Sequence, residues 1–175
     1  MVDKASTTAA RAALSSEGFE AFYRHEYRQV RAVAWTLTGS GAGAEDIAQE
    51  AFLRAHQRWD TVSRYDEPGA WVRRVAINLA SSSLRRRARE AAALMRLSAR
   101  REEPWEIPDV DREFWAAVRS LPRQQAAVLA LHYYEDLPVS DIAAVLELAE
   151  GTVKAHLHKG RASLARRLHI DEERT

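Results

Sequence analysis

Val153, Leu157, Gly160, Leu164 and Leu168 recur at intervals of four, three, four and four residues. On a period of 3.6 they share one sector of a single helix, and no other pattern in the chain restricts the fold as tightly. The opposite side of that helix carries Ala155, His158, Lys159, Ala162 and Arg166, flanked by Lys154 and Arg161. Just upstream, Val139, Ile142, Ala143 and Leu146 stand at i, i+3, i+4 and i+7, the apolar face of a shorter helix, with Ser140 or its neighbours in the turn available as cap. A short helix packed under a long one whose outer face is small and basic is the helix-turn-helix plan. Small residues let such a face approach base edges in the major groove, and basic ones reach phosphates and guanines.

The remainder of the chain is also helical in pattern. Phe19, Phe22, Tyr23, Val30, Val33, Ala34 and Leu37 recur at threes and fours, which predicts a helix from Phe19 to Leu37. "TGSGAGAED" reads as a turn whose terminal acids suit the start of the next helix. From Ala44 to Trp59, Ile47, Ala48, Ala51, Phe52, Ala55 and Trp59 lie on one face, with Asp46, Gln49, Glu50 and Arg54 toward the other. "DTVSRYDEPG" is then a loop, and Pro68 precedes a third helix that begins near Ala70 and is expected to bury Trp71, Val75 and Leu79. Two prolines and five acids in "RREEPWEIPDVD" mark a boundary. Helical periodicity resumes with Phe114, Ala117, Val118 and Leu121, stops at Pro122, and returns in "RQQAAVLALHYYED". With no convincing strand alternation and no repeat, the fold class expected is all-α, in two small helical domains joined by an acidic linker. The divisions are 1–15 as a mobile tail, 16–90, a linker over 91–109, and 110–170.

Charge segregates along the chain although the total is only +1. Seven arginines against Glu90 make 85–101 strongly basic, six acids against Arg112 make 102–113 strongly acidic, and 152–169 holds five basic residues with no acid. Two basic blocks separated by an acidic one suggest two polyanion-binding surfaces and a spacer that adheres to neither. The 19-residue spacer from Ala91 to Asp109 could reach about 60 Å at ~3.3 Å per residue, enough to span roughly one and a half duplex turns of ~34 Å each. The absence of cysteine excludes disulfides and thiolate ligands. No eighteen-residue apolar run and no basic segment leading an apolar core occur, so the expected location is cytoplasmic.

Two stretches carry a more specific signal. "LPRQQAAVLALHYYEDLPVSDIAAVLELAEGTVKAHLHKGRASL" resembles region 4 of bacterial sigma-70-type factors, with its proline-led helix, "IA..L" and "GTVK". "AEDIAQEAFLRAHQRW" followed by "PGAWVRRVAINLASSSLRRR" resembles region 2. Both in this order, without the larger factors' additional regions, resemble the extracytoplasmic-function (group 4) sigma factors over residues 17–168. The resemblance implies a factor that binds core RNA polymerase, directs it to promoters and assists their opening. It implies polymerase binding by Asp46, Gln49, Glu50 and Arg54. Minus-ten recognition, partly as single strand, would fall to Ser63, Tyr65, Asp66, Trp71, Asn78, Arg85, Arg86 and Arg87. Duplex minus-thirty-five binding would fall to Thr152, Lys154, Ala155, His158, Lys159 and Arg161. An anti-sigma factor is a further partner of the family, and its linkers thread the polymerase's RNA path. Two departures are visible: Glu147 stands where the family often has glycine, and Ala155-His156 replaces a frequent serine-arginine pair.

The rival reading is a helix-turn-helix regulator acting on duplex DNA without replacing sigma, but it has no use for the front half. A purely structural partner of polymerase is separated by whether promoter-specific transcription occurs. No enzyme and no cofactor or metal site is expected. His156 and His158 point about 200° apart on their helix, and neither a glycine-rich phosphate loop nor HExxH occurs.

Overall fold

The structure, a computed structural model, describes the backbone of residues 4–93 and 109–168, and side chains over 18–83 and 112–168. These residues form eight helices and no strand: α1 (Lys4–Thr38), α2 (Gly41–Gln57), α3 (Trp59–Val62), α4 (Pro68–Ala93), α5 (Asp109–Arg119), α6 (Arg123–Tyr133), α7 (Val139–Leu146) and α8 (Glu150–Arg167). Most of the expected linker, together with the C-terminal end of the chain, lies outside the described residues.

Three boundaries differ from expectation. First, α1 begins at Lys4 rather than near Phe19, so the stretch expected to be a mobile tail is helical. Its alanines, Ala5, Ala9, Ala10, Ala12 and Ala13, are the strongest helix formers, and they carry the helix without any apolar stripe. Second, the glycine-rich turn shrinks to two residues. Gly39 adopts a left-handed φ of 70° and its amide donates to the Trp35 carbonyl at 2.8 Å. Ser40 then caps α2, its Oγ accepting from the Gly43 amide at 3.1 Å, so the helix starts at Gly41. A serine cap overrides the low helix propensity of two glycines in the first turn. Third, the loop expected over Asp60–Gly69 is helical at both ends, leaving only 63–67 as connector between α3 and α4.

In the first half, α1, α2 and α4 pack against one another. Ile47, Ala48, Ala51, Phe52 and Ala55 turn inward from α2 as expected. On α4 the fully buried stripe is Val72, Ala76, Ile77 and Ala80, while Trp71, Val75 and Leu79 are half-buried against its flank. Apolar residues occupy both registers of that helix, and periodicity alone cannot choose between them. Packing against α1 and α2 does.

The second half is built round α6, whose residues Ala126 to Leu131 are buried without interruption. A helix apolar on all sides must be surrounded, and α1, α5, α7 and α8 lie around it. On α5 the buried residues are Trp115 and Val118, with Phe114 and Ala117 half-buried beside them, and Leu121 is buried in the turn that follows. Pro122 ends one helix and stands as N-cap of the next. Neither Ser140 nor any other side chain caps α7: Pro138 holds that position, and the Ser140 hydroxyl donates to Asp141 at 3.0 Å. The turn out of α7 is a Schellman motif. Leu148 N–H bonds to Ala143 O at 3.0 Å and Glu147 N–H to Ala144 O at 3.4 Å, with Glu147 left-handed at φ 53°. Glu147 therefore takes the positive φ that glycine would take without strain.

The halves are not separate. Core residues of both form one contiguous cluster, in which α5 and α6 pack on the C-terminal part of α1's side of the molecule and α7 packs on α4.

Candidate nucleic-acid interface

Three surfaces carry the residues expected to act. On α2, Asp46, Gln49 and Arg54 are exposed and Glu50 is half-buried. Arg54 Nε donates to Glu50 Oε1 at 2.8 Å, and Gln49 Nε2 donates to Glu45 Oε1 at 3.4 Å. Sequence reasoning missed Leu53, which is 52% exposed. It stands three, four and seven residues beyond Glu50, Gln49 and Asp46, so it shares their face. A large apolar side chain amid carboxylates on a solvent face is the signal that was available. Such a surface suits a partner that is basic at its rim and apolar at its centre.

The second surface begins at the connector 63–67. Its base is fixed by Trp59, whose ring meets Phe19 at 5.3 Å and Phe22 at 5.0 Å between centroids, and by buried Val62. Ser63, Tyr65, Asp66 and Glu67 project outward from this anchor, Tyr65 being 45% exposed. Trp71 is half-buried one turn into α4, and Asn78, two turns further on, is exposed. Trp71, Arg74 and Asn78 follow at i, i+3 and i+7, one stripe. The stripe is not open. Arg123 of α6 donates to Asn78 Oδ1, and Arg74 is ion-paired with Glu147. Arg85, Arg86 and Arg87 continue along α4, but their side chains lie outside the described residues.

The third surface is α8. Val153, Leu157, Gly160 and Leu164 are buried, as the spacing predicts, and Leu168 is half-buried. Gly160 is required by approach: a Cβ there would lie 2.8 Å from Leu129 Cδ1 of α6. Seated this closely, α8 leaves Thr152, Lys154, Ala155, His158 and Lys159 exposed on its outer side. Arg161 is exposed but engaged with α6. Its Nε donates to the Tyr133 hydroxyl at 2.8 Å, its guanidinium lies 5.6 Å from that ring's centroid, and another nitrogen lies 2.9 Å from His132 Nε2. Because arginine only donates, His132 Nε2 accepts, and Nδ1 carries the proton toward the Leu137 carbonyl 3.3 Å away. Arg161 thus fastens α8 to α6 at the edge of the basic face.

No described helix is long and apolar enough to cross a membrane, and no group of three or more metal-binding side chains occurs among the described residues. The three surfaces coincide with regions that comparison identifies. Residues 22–90 match the family model of sigma-70 region 2, and residues 111–164 match that of sigma-70, region 4. The ECF RNA polymerase sigma factor EcfG of Rhodopseudomonas palustris is 30% identical over 145 residues, covering 81% of this chain and 80% of that one. The ECF sigma factor SigM of Mycobacterium tuberculosis is 30% identical over 158 residues, covering 86% and 76%. Among solved structures, the sigma factor RpoE of Bartonella quintana, in complex with the anti-sigma factor NepR, superposes with a TM-score of 0.71 at 23% identity, over 89% of this chain and 99% of that one. Two region matches in order and relatives aligned over most of their length establish that this chain belongs to the ECF sigma factors of RNA polymerase.

Proposed function

We propose that the three surfaces divide the work of a sigma factor. The α2 face of Asp46, Gln49, Glu50, Leu53 and Arg54 docks on core polymerase. The connector and the α4 stripe, with Ser63, Tyr65, Asp66, Trp71 and Asn78, take up the minus-ten element as it opens, and Arg85, Arg86 and Arg87 neutralise nearby phosphates. A base leaving the duplex needs a wall to stack on and hydrogen-bond partners at its edge, which Tyr65 and the polar groups beside it supply. The outer face of α8, from Thr152 to Lys159, enters the major groove at the minus-thirty-five element, while Arg161 secures the helix and reaches DNA only from its rim. The chain contributes no covalent chemistry, needs no cofactor and works in the cytoplasm. Since RpoE is held by NepR in its complex, an anti-sigma factor belongs among the partners to seek.

The observation that carries this reading is the pairing of a small, basic, exposed face on α8 with an acidic, Leu53-centred face on α2. A regulator acting on duplex DNA alone has no use for the second. Transcription in vitro from genomic promoter fragments tests it: core polymerase should initiate only when this protein is added. Tight operator binding without core, and no initiation with it, would overturn it.

A further inference from the structure

Beside the flank of α8 stands a phenol whose hydroxyl is only half used. Tyr133, the last residue of α6, is 47% exposed, and its oxygen accepts from Arg161 Nε at 2.8 Å. A phenol that accepts in this way keeps its own proton to donate, and no acceptor for that proton stands among the described residues. Arg161 is only partly used as well. Tyr133 takes its Nε–H and His132 Nε2 takes a proton from Nη2, which leaves the remaining N–H groups of the guanidinium fork to donate elsewhere. Both groups are held in place. The Phe114 ring meets Tyr133 edge-on, 5.8 Å between centroids at 86°, the His132 ring lies 5.0 Å away, and the guanidinium sits over the Tyr133 ring.

We propose that Tyr133 binds the promoter directly, forming with Arg161 a preset pair of donors for one backbone phosphate at the edge of the groove that α8 enters; this rests on the assignment of α8 to the minus-thirty-five element. A helix about 10–12 Å across fills a major groove about 12 Å wide. Its outer residues then meet bases, and those on its flanks meet the strands that wall the groove. Arg161 lies on a flank, with Lys154 two turns earlier on the same side. It also belongs to the later part of α8, whereas the N-terminal part of a recognition helix is the part that reaches base edges. A donor at this place therefore faces phosphate rather than a base. The Arg161 charge polarises the hydroxyl that accepts from it, so the bond which the Tyr133 proton makes to an anion is strengthened. Tyrosine hydroxyls are among the groups that fix a protein's register on a duplex through phosphate. Here the hydroxyl comes from α6, outside the two helices of the helix-turn-helix.

Holoenzyme assembled from core polymerase and the full chain is titrated onto a promoter duplex recovered by the transcription assay, with single neutral methylphosphonates placed in turn along the minus-thirty-five backbone. Tyr133→Phe removes one hydroxyl and keeps the ring that Phe114 and Arg161 pack on, and helix content by circular dichroism should match the parent's. It should weaken binding about three- to tenfold and leave the salt slope unchanged, because a neutral hydroxyl releases no counterion. Arg161→Ala should lower that slope by about 1. At one linkage the methylphosphonate should cost the parent about three- to tenfold more than it costs the Tyr133→Phe holoenzyme. Equal costs at every linkage, or a salt slope that falls in Tyr133→Phe as far as in Arg161→Ala, would overturn the contact and leave Tyr133 as a support for Arg161. A parent that tolerates the neutral group at every linkage would overturn the assignment of α8 as well.

Discussion

Gly160→Ala measures how closely α8 is seated against α6. In an exposed helix the change would stabilise by about 1 kcal/mol, because alanine loses less backbone freedom. Here the new methyl would stand 2.8 Å from Leu129 Cδ1 and 3.3 Å from Leu129 Cγ. Leu129 is itself fully buried, so it has no space into which to retreat. Overpacking of this kind costs about 1–3 kcal/mol, and the net expectation is a loss of roughly 0–2 kcal/mol. Urea unfolding followed by circular dichroism gives the number. Adding Leu129→Val should recover part of the loss, although truncating a buried leucine further, to alanine, costs about 2–5 kcal/mol by itself in an otherwise native core. A compensating double variant would show that the two side chains compete for one volume. If Gly160→Ala instead stabilises by about 1 kcal/mol, α8 is not held against α6 and the outward facing of Thr152, Lys154 and Lys159 loses its support.

Asp46→Arg with Glu50→Arg should abolish co-purification with core polymerase at nearly unchanged stability, since the Glu50–Arg54 pair that it breaks is about half exposed and contributes little; retention of core would refute the docking face. Lys154→Ala should weaken minus-thirty-five binding by about 1–3 kcal/mol if it contacts a base, or lower the salt slope by about 1 if it contacts phosphate, read by footprinting across a salt series.

The stripe Val153–Leu157–Gly160–Leu164 was legible because one helix face had one job. The register of α4 was not, because Trp71, Val75 and Leu79 form as good an apolar row as Val72, Ala76 and Ala80, and only the positions of α1 and α2 decide between them. The N-terminal helical turns escaped because alanine-rich sequence has propensity without periodicity. Leu53 was overlooked for the opposite reason: the apolar side of α2 was already accounted for, and one more leucine drew no notice. The contacts of Arg73, which pairs with Glu26 and Glu135, and of Asn78, which accepts from Arg123, could not have been read at all. They join residues dozens of positions apart, and nothing local distinguishes an arginine that faces water from one that bridges two carboxylates.

Glu147 links the helix-turn-helix to the rest of the molecule in a way that bears on inheritance. Glycine is reached from glutamate by changing a single base of the codon. At this position that change would remove the strain of the left-handed φ and, in the same step, delete the carboxylate that pairs with Arg74. The turn would become easier to form while the hold of the second half on α4 became weaker. A lineage can therefore move between a strained turn tied to α4 and a relaxed, untied one by a point mutation that leaves every side chain on the outer face of α8 in place. Glu147→Gly is the variant in which turn geometry and restraint would be seen to change together.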